Sequence, residues 1–161
     1  MKAYFAGGCF WCMTPIFRLC GAEKVVAGYS GGDEEDPAYE DVKEQRTSHR
    51  ETVMVEYDPG KTPYEKLLDV YFANVDPFDP DGQFIDRGRS YSLAIYYVSD
   101  EEKRLAEARV GELEAASGRP VCVAIEPFGA FYEAEEYHQD YDLKHPAEFE
   151  KELTESGRRK P

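Results

Sequence analysis

Ala3-Tyr4-Phe5-Ala6-Gly7-Gly8-Cys9-Phe10-Trp11-Cys12 runs from an apolar segment through two glycines to a cysteine, the pattern of a strand that hands a thiol to the start of a helix. The glycines let the backbone turn sharply and approach a ligand closely, and the unpaired N–H groups of a helix N-terminus favour a thiolate over a thiol. Cys9 in that position is a candidate nucleophile. Cys12, three residues on, shares its helical face within reach of a disulfide, and Phe10-Trp11 between them can wall an apolar pocket. The competing reading is a buried CxxC or half of a zinc site. The spacing fits zinc, but no second CxxC or close histidine pair completes four ligands, so no metal is expected.

Working outward, a helix runs on to about Leu19, with Pro15 near its first turn or kinking it. Lys24–Tyr29 reads as a strand ending in the glycine-rich Gly28-Tyr29-Ser30-Gly31-Gly32, and Thr52–Tyr57 as another, stopped by Asp58-Pro59-Gly60. Thr62-Pro63-Tyr64-Glu65 combines an N-cap, a proline at the first helical position and a capping-box glutamate. Tyr64, Leu67, Leu68, Tyr71, Phe72 and Val75 follow at helical spacing. Tyr91–Val98 is strand-like, Ser99 caps a helix that stops at Gly118, and Val121–Ile125 adds a strand carrying Cys122 as a small buried hydrophobe. Glu133–Leu153 is helical in pieces, broken at His145-Pro146. Alternating strands and long helices make an α/β or α+β two-layer sandwich, with strand order left open. Gly31–Pro37 is the most linker-like stretch, and the tail from about 155 to 161 is expected to fray.

A chain of 161 residues suits one domain with a sizeable core. With 33 acidic and 19 basic side chains the formal net charge is −14, which repels nucleic acid and anionic membrane surfaces. Met1-Lys2 leads directly into a strand rather than a signal peptide, and no apolar run approaches membrane-spanning length. A soluble cytoplasmic protein is expected. Four cysteines, Cys9, Cys12, Cys20 and Cys122, do not resemble a secreted disulfide scaffold; in a reducing compartment a redox role for them is catalytic.

Polar residues recur in loops that can converge near Cys9. Ser48-His49-Arg50-Glu51 enters a strand, Gln83-Phe84-Ile85-Asp86-Arg87-Gly88 precedes one, and Tyr39 and Tyr91 flank them. Singly, each has an ordinary explanation: a solvated glutamate, a local Asp–Arg ion pair, half-buried tyrosines. Together they make a constellation around a thiol.

That constellation resembles the A-type peptide methionine sulfoxide reductases. The likeness covers nearly the whole chain through Gly8-Cys9-Phe10-Trp11, Gly28-Tyr29-Ser30-Gly31-Gly32, Tyr39, His49-Arg50-Glu51, Asp86-Arg87-Gly88, Tyr91 and Ala134-Glu135-Glu136-Tyr137-His138-Gln139. It implies a two-layer sandwich with a ferredoxin-like core and reduction of the S epimer of methionine sulfoxide, free or in proteins. By the same resemblance Cys9 is the nucleophile and Glu51 the acid. Tyr39 and Tyr91 are hydroxyls on the sulfoxide oxygen, Phe10 and Trp11 wall the pocket for the substrate methyl, and Asp86 is a polar group of the site. A sulfoxide oxygen leaves only if protonated, so a neutral carboxylic acid beside the thiol fits the chemistry. No bound cofactor is implied. An external thiol such as thioredoxin recycles the enzyme, and a monomer is expected.

The chain departs from many relatives in having Cys12 where glycine is common and no cysteine after His138, where a resolving thiol often lies. Cys12 is the expected resolving thiol because i, i+3 spacing at a helix start brings two sulfurs together with modest adjustment, and Cys20 is the second candidate. The main rival is a thioredoxin-like dithiol oxidoreductase, against which stand the aromatic Phe10-Trp11 insert and an acid with no task in disulfide exchange. A zinc or interaction module is the third reading.

Overall fold

The computed structural model describes residues 1–156. Lys2–Gly7 forms β1, Phe10–Leu19 α1, Lys24–Ser30 β2, Tyr39–Lys43 α2, Arg50–Glu56 β3 and Tyr64–Ala73 α3. After them come the short strands β4 (Gly82–Gln83) and β5 (Asp86–Arg87), then β6 (Leu93–Tyr97), α4 (Asp100–Ser117) and β7 (Val123–Pro127). The chain closes with β8 (Phe131–Glu133), α5 (Tyr141–Lys144) and α6 (Pro146–Ser156). Six strands make one sheet in the order β7-β6-β1-β3-β2-β8, while β4 and β5 make a separate ribbon. Pairing in the large sheet is antiparallel except between β6 and β7. The run β1-α1-β2-β3-α3-β6 with spatial order β6-β1-β3-β2 is a ferredoxin-like split βαβ unit, so the sandwich is the expected one, with β7 and β8 added at its edges.

Both faces of the sheet are covered, which is why its strands read as apolar runs. On β1, Ala3 and Phe5 point to the helices while Tyr4 and Ala6 point the other way, as the period of two requires. On the helix side Phe5 lies 5.0 Å from the Phe17 ring of α1 and 5.4 Å from the Tyr71 ring of α3. Burying such side chains contributes roughly 1.5–3 kcal/mol each. On the other side Tyr4, Val26, Met54 and Tyr96 lie under Phe128 and Phe131, with Tyr4 stacked on Phe128 at 3.9 Å. No helix of the described residues is long and apolar enough to cross a membrane.

Several local expectations are corrected. Thr62 does not cap α3: its N–H closes a turn on the Asp58 carbonyl at 2.8 Å, the N-cap is Pro63, and no side chain caps the helix. Ser99 does cap α4, accepting from Glu102 N–H at 3.2 Å, and Gly118 ends that helix at φ 70°. The strand expected from Tyr91 begins at Leu93, because Ser92 donates to the Arg89 carbonyl at 2.7 Å and closes a 3-10 turn over Arg89–Tyr91. Pro15 is the sixth residue of α1 rather than part of its first turn. Cys122 precedes β7 half-buried, its N–H held by the Pro77 carbonyl at 2.6 Å, so the strand starts at Val123. The linker-like Gly31–Pro37 is tied to the entrance of β3 by Glu34, which accepts from Ser48 N–H at 2.8 Å and from its hydroxyl at 2.9 Å. Of the tail expected to fray, residues 155 and 156 finish α6, and residues 157–161 lie outside the described residues.

Candidate active site

Gly8, at φ 89°, turns the chain out of β1 so that Cys9 becomes the N-cap of α1. A side chain there would strain the backbone that aims the thiol. Glu51 arrives from β3 by alternation: Val53 and Val55 face the helix layer, so Glu51 faces it too, opposite Tyr29 on β2. The two meet at the first turn of α1, where Phe10 N–H donates to Glu51 Oε1 at 3.1 Å. Glu51 is 1% exposed, and Oε2 makes no hydrogen bond of standard geometry. Burial pushes its carboxyl from 4.5 up to about 8; the Phe10 N–H opposes this, Asp86 and Cys12 add to it, and Tyr91 pulls it back.

Cys9 is also pushed well above the ordinary thiol range, first by its hydrogen bond with Cys12, then by burial, then by facing Cys12, Glu51 and Asp86. This corrects the expectation of a thiolate at rest. The helix N–H that would stabilise one is already taken by Glu51, and burial outweighs what remains. Both groups are thus pushed toward their neutral forms.

Tyr39, at the start of α2, and Tyr91, in the 3-10 turn, complete the polar side. Both phenols are pushed above 10, first by burial and then by facing Glu51, with Cys9 and Asp86 adding to both. They stay neutral and able to donate. Asp86 lies on β5 opposite Gln83. Arg87 turns to Asp79 at 2.7 Å, and the Asp86 charge acts on Cys9, Glu51 and both tyrosines.

The apolar wall is larger than Phe10-Trp11. Phe10 is wholly buried, its ring 5.8 Å from Tyr29 and 5.5 Å from His138, whereas Trp11 is half-buried and stacked on Tyr141 at 3.9 Å. Trp11 Nε1 donates to His138 Nδ1 at 3.0 Å, and burial holds that imidazole below its usual pKa, keeping it a neutral acceptor. The Tyr39 ring sits 4.1 Å from His138. Glu135 fixes the arrangement from behind, accepting from Tyr29 hydroxyl at 2.9 Å and from Tyr39 N–H at 3.1 Å. Arg18 on α1 grips Asp140 at 2.7 Å and Asp142 at 2.9 Å, which seats Tyr141 over Trp11. Sequence reasoning gave His138, Tyr141 and Glu135 no role. Their signal was a histidine amid aromatic and acidic residues just before a helix.

Cys12 is 5% exposed and packs with Cys9, Tyr141 and Phe149, with Trp11 and Leu153 at the margin. Cys20 follows the far end of α1, about 16 Å from Cys9 at 1.5 Å per helical residue, beyond disulfide reach while the helix persists. Its thiol contacts the Phe17 carbonyl at 3.2 Å. All four cysteines are free thiols. Among the described residues no group of three or more His, Cys, Asp or Glu side chains is arranged to hold a metal.

A thiol set beside a buried carboxyl is the equipment of a thiol-dependent oxidoreductase, able to join attack by sulfur to movement of a proton. The family described as peptide methionine sulfoxide reductase matches residues 1–160, and the chain belongs to it. The chain is 49% identical over 160 residues to peptide methionine sulfoxide reductase MsrA of Bacillus subtilis, covering 97% of this chain and 90% of that one. A Listeria monocytogenes relative of the same name is 47% identical over 161 residues, covering 98% and 90%. Among solved structures, reduced Mxr1 of Saccharomyces cerevisiae matches with TM-score 0.85 at 30% identity, over 91% of this chain and 86% of that one. Methionine sulfoxide reductase A of Corynebacterium diphtheriae matches with TM-score 0.81 at 28% identity, over 90% and 74%. Mxr1 in complex with Trx2 matches with TM-score 0.60 at 25% identity, over 88% and 84%. The activity is peptide-methionine (S)-S-oxide reduction, and the dithiol-exchange and zinc-module readings fall away.

Proposed function

We propose that Cys9 is the nucleophile, Glu51 the acid, and Cys12 the thiol that resolves the oxidised intermediate. The observation that carries this reading is the buried pair itself, a thiol at the N-cap of α1 and a carboxyl bonded to the next N–H of that helix, both held toward their neutral forms by burial. When the sulfoxide enters, Glu51 gives its proton to the oxygen while Cys9 sulfur attacks the substrate sulfur and releases its own proton to the Glu51 carboxylate. Tyr39 and Tyr91 donate to the oxygen as negative charge develops on it. Phe10 and Trp11 hold the methyl group, and Asp86 tunes the field. Methionine leaves, the oxygen ends on Cys9 as a sulfenic acid, and the site regains its carboxyl proton. Two electrons have passed from one sulfur to the other, so the step balances with no bound cofactor.

Cys12 then attacks the Cys9 sulfenic sulfur, forming a disulfide and releasing water. An external dithiol, with thioredoxin the candidate suggested by the yeast complex, reduces that disulfide through a mixed disulfide. Both free and protein-bound methionine sulfoxide are substrates in this reading, and a monomer in a reducing cytoplasm suits four free thiols. Cys9→Ser should abolish reduction of methionine-S-sulfoxide, because an alcohol cannot replace a thiol nucleophile near neutrality. Joint replacement of Cys12, Cys20 and Cys122 should leave one stoichiometric turnover. Turnover by Cys9→Ser at a near-normal rate would refute the assignment.

A further inference from the structure

Gln45 adopts φ 62°, in the left-handed region that favours glycine, although it is exposed and free of core packing. Its amide is fully engaged: Nε2 donates to Ser90 hydroxyl at 2.7 Å and to the Lys43 carbonyl at 3.1 Å, and Oε1 accepts from Ser90 N–H at 3.0 Å. Gly88, at φ 115°, leaves room for this amide, since a Cβ there would fall 2.7 Å from Gln45 Cδ. Gln45 N–H also bonds the Val42 carbonyl at 3.1 Å, so the residue is continuous with α2, which starts at Tyr39. Ser90, 1% exposed, immediately precedes Tyr91 in the 3-10 turn. The amide thus rivets the segment carrying one active-site phenol to the segment carrying the other.

We propose that Gln45 is a positioning residue: its amide, carried on the cap of α2, holds Ser90 and through it the Tyr91 hydroxyl at the sulfoxide oxygen. Its backbone angle is that of a helix cap: Gln45 N–H on the Val42 carbonyl at 3.1 Å and Arg46 N–H on the Asp41 carbonyl at 2.8 Å close the end of α2 and aim the amide at Ser90. A donor aimed at developing charge must sit within about 2.7–3.1 Å of it, and a displacement of about 1 Å from a remote change can cost as much as a hundredfold in rate.

The inference rests on the role given above to Tyr91, and a double-mutant cycle separates the two. Gln45→Gly removes the amide and relaxes the backbone. The single-turnover rate should fall about tenfold, substrate affinity should hold within about twofold, and Tm should stay unchanged or rise. Tyr91→Phe should also slow the step, and adding Gln45→Gly to it should cost nothing more, because the hydroxyl being positioned is already gone. Additive losses, or a Gln45→Gly enzyme at wild-type speed beside a slowed Tyr91→Phe, would overturn the role of Gln45 alone. Tyr91→Phe at wild-type speed would remove both roles. If Gln45→Gly folds poorly, Ser90→Ala in the same cycle decides, with a smaller loss that likewise vanishes in the Tyr91→Phe background.

Discussion

Single-turnover reduction followed from about pH 6 to about pH 10 tests whether the Glu51 proton drives the chemistry. With its pKa pushed up to about 8, Glu51 is about ten-elevenths protonated at pH 7 and about one-eleventh at pH 9. The sign is fixed by the role: an acid acts only while it holds its proton, so the rate should be flat below about pH 7 and fall about tenfold between pH 7 and 9. Cys9, held above the ordinary thiol range, does not offset this fall, because its proton travels with the sulfur until the sulfoxide arrives. Glu51→Gln keeps an acceptor for Phe10 N–H but cannot release a proton. It should cut the plateau by roughly a hundredfold or more and lose the alkaline limb, while substrate affinity changes little. Rapid quench with chromatographic measurement of methionine reads the step without recycling. A rate that climbs through pH 8 to 9 in both proteins alike would show that another group supplies the proton.

The same carboxyl should cost stability. Its native pKa lies above the unfolded value, so its contribution is intact below about pH 4.5 and is lost as pH rises toward about 8, at about 1.4 kcal/mol per unit. Urea unfolding should therefore find the advantage of Glu51→Gln over wild type growing by about 3 kcal/mol between pH 5 and pH 7, and an unchanging gap would exclude the buried-acid account. Cys12→Ser should complete one turnover at the normal rate, accumulate Cys9 sulfenic acid and recycle poorly with thioredoxin, while wild type quenched after turnover yields a Cys9–Cys12 peptide; a Cys9–Cys20 peptide would instead require α1 to unwind. Gly28→Ala would drive a methyl into the Tyr132 carbonyl and the Phe131 ring, parting β2 from β8, and should cost about 1–3 kcal/mol in thermal unfolding.

What the sequence made legible was governed by local rules. Gly7-Gly8 before an aromatic helix start put Cys9 at an N-cap, whereas the strand read from Thr52 begins at Arg50, and only that start lets alternation with Val53 and Val55 turn Glu51 to the helix side. Local rules also misled. Thr62 has the form of an N-cap, but α3 starts at Tyr64, which puts Pro63, with no side-chain acceptor, at the cap. A thiol at a helix start looks activated until the carboxyl that claims the helix N–H is seen to come from a strand 41 residues away. His138 could be noticed in its aromatic and acidic surroundings but not given a role, because its partner, Trp11, is 127 residues distant. Gln45 was illegible for a related reason: the Ser90 hydroxyl and N–H that its amide joins lie 45 residues further along the chain.

Trp11 is the chain's one tryptophan, two residues after Cys9 and next to Cys12, with its indole face on Tyr141 and its N–H on His138. Forming a bond between the flanking sulfurs puts a disulfide, an efficient quencher of indole excited states, next to the only strong emitter in the molecule. With the proposed Cys9–Cys12 closure, the enzyme would carry its own optical gauge of oxidation. Fluorescence in a stopped-flow instrument should follow sulfoxide entry, disulfide closure and reopening by reductant as separate phases, with no label attached.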